Sequence, residues 1–172
     1  MKSQILICME TNKRANTDYV YIKCTLDYYY ENTKEIIFRP IYLESKTRYR
    51  DKKKQREINA TKKAYKGPTS VIYCIDMDEY SVKPEDKQLL NEIKDYCEQQ
   101  DYDLVLFNKD IEDVYLGQQV PNTEKVKMAS QFRENNKITV VREESLSSFT
   151  LSRHQSNILN IFDKYWTRKP SG

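Results

Sequence analysis

Glycine is scarce in this 172-residue chain, with three in all, and none stands in a phosphate-cradling loop or a dinucleotide fingerprint. That excludes nucleotide binding of those kinds. The single histidine, His154, supports neither a Ser-His-Asp nor a Cys-His arrangement. The four cysteines (Cys8, Cys24, Cys74, Cys97) have no C-x-x-C spacing, so a zinc site is not indicated. They read as reduced, buried thiols of a cytoplasmic protein. No apolar run approaches the ~18 residues of a membrane span. Met1–Gln4 leads directly into a strand, without the layout of a signal peptide. A mean hydropathy of −0.85 and 32% charged residues fit a soluble domain large enough for its own core.

What the chain does have is unbroken apolar runs that end in acid. Val71-Ile72-Tyr73-Cys74-Ile75 passes straight into Asp76-Met77-Asp78. Five apolar residues without alternation describe a strand covered on both faces, as in a parallel sheet. Open α/β sheets take their ligands at the carboxyl ends of such strands. Two aspartates there call for hydrogen-bond donors or a cation, and a hard cation such as Mg²⁺ or Mn²⁺ suits their oxygens. Taken alone the pair reads equally well as turn or cap carboxylates. A second run, Ile5-Leu6-Ile7-Cys8, is followed by Met9 and Glu10. If the two strands are parallel neighbours, Glu10, Asp76 and Asp78 converge. These three are the candidate catalytic and metal-binding residues.

Charge is segregated. Between Lys46 and Lys66 ten basic residues face only Asp51 and Glu57, a local +8 that leaves −5 for the remainder. This stretch reads either as a solvated helix face or as a phosphate-backbone surface. On the second reading Lys46, Arg48, Arg50, Lys52, Lys53, Lys54 and Arg56 are the candidate nucleic-acid contacts, the first three nearest a strand's carboxyl end.

The periodicity gives strands at Gln4–Cys8, Glu35–Leu43 (an edge strand, because of Pro40), Ser70–Ile75 and Asp103–Phe107. Helices are expected at Thr17–Glu31, Asp51–Tyr65, from Pro84 onward, Asp110–Leu116, Thr123–Asn135 and Ser152–Trp166. The first sets Tyr19, Ile22, Leu26 and Tyr29 on one face. Lys137–Val141 is a candidate fifth strand. The sum is one three-layer α/β domain over residues 1–167, with a mostly parallel, Rossmann-like sheet of four or five strands flanked by helices, and a flexible tail at 168–172.

These motifs resemble the TOPRIM domain, and more closely the small RloB-like proteins of bacterial phage-defence loci. In that family the first strand runs apolar-apolar-apolar-C-E-G-E, here Ile5-Leu6-Ile7-Cys8-Met9-Glu10-Thr11. Its D-x-D strand is similar to Val71–Asp78, and its F-E-x-W-L-L segment to Ile111-Glu112-Asp113-Val114-Tyr115-Leu116. The likeness spans Gln4 to Gly117. It departs after the first strand, where one acid stands instead of two and no glycine follows. The resemblance implies Mg²⁺-dependent cleavage of phosphodiesters, in RNA before DNA, with Glu112 as a fourth metal carboxylate. It also implies service beside a partner ATPase. The rival expectation is a non-catalytic regulatory or interaction module on the same fold. Self-association into a homo-oligomer is left open.

Overall fold

The computed structural model describes residues 2–171. Four strands, β1 (Gln4–Met9), β2 (Ile37–Tyr42), β3 (Thr69–Asp76) and β4 (Asp103–Phe107), form one sheet in the order β2-β1-β3-β4, all parallel. Among the described residues seven α-helices flank it: α1 (Thr17–Tyr29), α2 (Lys52–Ala64), α3 (Pro84–Gln100), α4 (Ile111–Leu116), α5 (Lys125–Glu134), α6 (Glu143–Leu146) and α7 (Ile158–Phe162). The fold is a three-layer α/β domain.

The unbroken apolar runs are explained by burial on both faces. From β1, Ile5, Ile7 and Met9 enter a core with Tyr21, Ile22 and Leu26 of α1, Phe132 of α5 and Leu159 of α7. Leu6 and Cys8 point the other way, toward Ile58 of α2 and Leu90, Ile93 and Cys97 of α3. Strand β3 divides likewise: Ile72 and Cys74 join the first core, Val71, Tyr73 and Ile75 the second. Pro40 lies on β2 at the sheet's edge, where its missing N–H costs no ladder bond.

Three expectations need correction. Lys137–Val141 is not a strand; Lys137–Val140 is a single 3₁₀ turn that buries only Ile138, after Asn136 has turned the backbone to φ 50°. The last helix does not begin at Ser152 but spans only Ile158–Phe162. Its expected first turns serve β4 instead. Ser156 forms an antiparallel bridge with Phe107, and the Asn157 amide pairs with the backbone of Leu104 and Leu106. That covers an edge that would otherwise be open. Helix α1 buries Tyr21 and Thr25 with Ile22 and Leu26, while Tyr19 and Tyr29 stay half-buried.

The expected tail is not free at its start. The Arg168 guanidinium donates to Asp163 and Glu143 and lies over the rings of Tyr29 and Tyr30, and the Lys169 amide donates to Tyr29 O. Gly172 lies outside the described residues.

Candidate functional site at the carboxyl edge of the sheet

Strand order fixes where a site can form. The chain leaves β1 for β2 on one side and reaches β3 on the other, so the direction of travel reverses between β1 and β3. Their carboxyl ends open a crevice there. Met9 is level with Cys74, which puts Glu10 beside the end of β3. A Glu10 carboxylate oxygen accepts the Asp76 amide at 2.5 Å. Asp76 Oδ1 in turn accepts the Ile111 amide at 3.0 Å from the first turn of α4. The two sequence-predicted acids are therefore brought together.

Asp78 is not gathered with them. Its backbone is left-handed, φ 48°, with its amide donating to Lys109 O at 2.7 Å. Its carboxylate is paired with the Lys46 ammonium, which also donates to Asp76 O at 3.1 Å. Lys46 opens a 3₁₀ turn capped by Ser45, just past β2, and reaches across the exits of β1 and β3.

Two acids from helices complete the crevice floor. Glu112 in α4 is 1% exposed, and its Oε2 has no hydrogen-bond partner, with Lys125 Nζ at 3.4 Å. Asp18, in the first turn of α1, is 5% exposed. The spacing that placed Tyr19 on the core face hid Asp18. Its one legible signal was an acid at the start of the helix that follows β1. It supplies a second acid after the first strand, eight residues beyond Glu10.

The electrostatics tie these groups into one cluster. Burial, opposed by the Asp76 amide and reinforced by Asp18, raises Glu10 to about 8. Burial and then the Glu112 charge raise Asp18 to about 7, with Lys125 pulling the other way. Asp76 is pushed well above the usual carboxylate range by burial, then by Glu10, Asp18, Glu112 and Asp110. Glu112 is raised by burial against the pull of Lys125. Lys125 is lowered by burial but raised on balance by Glu112, Asp110 and Asp76. Two buried hydroxyls at this end, Thr11 Oγ1 and Tyr21 OH, have no hydrogen-bond partner. Burial raises Tyr21, and the charges of Glu112 and Asp18 raise it further.

The donors here are carboxylate and hydroxyl oxygens, the kind that a hard divalent cation takes. Carboxylates outnumber the ammonium groups, Lys46 and Lys125, that could neutralise them. Among the described residues no three Asp, Glu, His or Cys side chains are gathered into a ready ligand set.

The basic segment divides by helical phase. Arg50, Lys52, Lys53 and Arg56 are exposed. Arg48 is paired with Glu44 and Asp51. Lys54 is turned inward at 8% exposure, near Glu44 and Glu57, one turn before the buried Ile58. No protein-family model, curated protein or solved structure matches the chain. No helix among the described residues is long and apolar enough to cross a membrane.

Proposed function

We propose that the protein is a divalent-cation-dependent phosphodiesterase acting on nucleic acid, with RNA the first choice through the likeness to RloB-like TOPRIM proteins. The observation that carries this reading is the contact of Glu10 with the Asp76 amide at the switch point, above the buried Asp18 and Glu112. Four mutually repelling carboxyls in one crevice are hard to sustain without a counter-charge. Asp76, Glu10, Asp18 and Glu112 are the residues that would hold Mg²⁺ or Mn²⁺. Bound there, the ion would neutralise the phosphate and favour in-line displacement.

The chain's own groups supply the rest. In its ionised form Glu10, which a nearby cation would favour against the effect of burial, is placed to take a proton from the attacking water. Asp78 orients Lys46, whose ammonium is placed to hold a substrate phosphate. Arg50, Lys52, Lys53 and Arg56 present a basic face to the backbone on the β2 side.

A second reading, a non-catalytic interaction module working with a partner ATPase, is favoured by one observation: Asp78 is committed to Lys46 rather than to the other acids. Calorimetry with Mn²⁺ or Mg²⁺ and cleavage of single-stranded RNA separate the two. The nuclease reading expects ion binding, with cleavage abolished by EDTA and by Asp76→Asn at unchanged melting temperature. Neither binding nor cleavage by the wild type would replace it with the interaction module.

A further inference from the structure

On the β4 side of the crevice stands a loop, residues 147–156, that the proposed chemistry does not use. It is fixed to the carboxyl edge by several bonds. The Asn108 amide donates to Gln155 O at 2.9 Å and the Asn108 side chain to Leu151 O at 2.7 Å. His154 Nδ1 donates to the Asp113 carboxylate at 2.8 Å. Asp113 belongs to the same first turn of α4 whose Ile111 amide holds Asp76, so the loop and the acid centre share one support.

The loop is also rigid within itself. Gln155 Oε1 accepts from Ser148 Oγ at 2.7 Å and from the Ser152 amide at 2.9 Å, while Ser148 Oγ accepts the Leu151 amide at 3.1 Å. Leu151 and His154 are both held at positive φ, 52° and 62°. Non-glycine residues persist there only where their surroundings over-determine them, and such positions cluster at functional sites.

What this loop holds out is Phe149. At 89% it is the most exposed large apolar side chain among the described residues. Its neighbours Leu146 and Leu151 turn inward, and the exposed Arg153 stands four residues on. A lone apolar side chain on a surface needs no explanation. This one is a ring on a braced loop, at the edge that carries the carboxylates. Exposed aromatic rings are what unpaired bases stack on.

We infer that Phe149 is a stacking platform for an unpaired nucleobase, so that single-stranded nucleic acid crosses the crevice from the basic β2 side to the loop 147–156. This rests on the proposed nucleic-acid chemistry and names the form of the substrate. Binding is read in EDTA, by fluorescence anisotropy of a fluorescein-labelled 12-nucleotide oligouridylate and of a 12-base-pair RNA duplex. Phe149→Ala should weaken single-strand binding by about 5- to 150-fold. Phe149→Trp should keep it, and duplex binding should change little in either variant. Several results would each overturn the proposal: wild-type protein that binds no oligouridylate, Phe149→Ala that binds it as wild type does, or Phe149→Trp that loses as much as the alanine variant. Hydrolysis of methyl p-nitrophenyl phosphate by wild type with Mn²⁺ reports the carboxylate centre without any base. Failure of the catalytic reading is thereby distinguished from failure of this one.

Discussion

Replacing Asp18 by asparagine should stabilise the metal-free protein, against the usual direction of a buried substitution. The Asp18 carboxyl is raised from 3.8 to about 7 by burial and by Glu112. Between those values the folded chain keeps a proton that the unfolded chain has released. Stability therefore falls as pH rises through this window and levels off above it. At about 1.4 kcal/mol per pH unit, ionising the group in the fold costs about 4 kcal/mol at pH 8, and at pH 5, where the folded group stays protonated, taking up that proton costs under about 2 kcal/mol. Asparagine forfeits the attraction of an acid for the first turn of α1, worth about 0.3–1 kcal/mol. The balance is a gain of about 3 kcal/mol at pH 8, or roughly 6–12 °C in melting temperature for a chain of this size. At pH 5, where the folded acid is uncharged and has no such attraction to lose, the gain shrinks to under about 2 kcal/mol. Thermal denaturation followed by circular dichroism in EDTA, from pH 5 to 8.5, measures it. Glu10, raised to about 8, should leave a shallower slope in the variant. Adding Mg²⁺ at pH 8 should lift wild type more than Asp18→Asn. A variant less stable than wild type at both pH values would refute the argument and make Asp18 a helix-capping residue without electrostatic strain.

Charge reversal of Arg50, Lys53 and Arg56 to glutamate should weaken nucleic-acid binding across all sequences and flatten its salt dependence, with a melting temperature close to wild type; filter binding at several salt concentrations decides this. The two internal glycines should differ. Gly117 closes α4 at φ +71° with nothing near its Cβ position, so Gly117→Ala should cost about 1 kcal/mol of conformational strain, read by urea denaturation. In Gly67→Ala the new methyl would meet Lys2 O at 2.5 Å and the Tyr65 ring at 2.7 Å, and the larger loss should fall there.

The sheet was legible because a strand covered on both faces has no reason to alternate, and β1 and β3 do not. The ends of those strands were legible for the same reason: an acid stops an apolar run where burial stops. Lys54 could have been recognised, since it stands one turn before Ile58, yet in the run Lys52-Lys53-Lys54 composition hides helical phase. Two other segments were illegible because a local pattern was overruled by a distant partner. Ile138-Thr139-Val140-Val141 has the β-branched composition of a strand, but no sheet edge is free for it; β4's edge is taken by Ser156 and Asn157, and Val140 is left 75% exposed. The same two residues, recruited to β4, shorten the last helix. Asp18 escaped because an acid in a buried position makes sense only when the three other acids around it are known.

The two cores differ in when they can close. The α2/α3 core draws its buried residues from Leu6 to Leu106, whereas the α1 core needs Ile158, Leu159, Phe162 and Trp166, with Arg168 clasping Tyr29 and Tyr30 behind them. A chain made from its N-terminus can thus assemble one face while it is still being synthesised. The apolar side of α1 waits for residues 158–166, across separations of well over a hundred positions. The crevice is framed by α1 and α4, so the helix that carries Asp18 is fully packed only once residues 158–168 are in place.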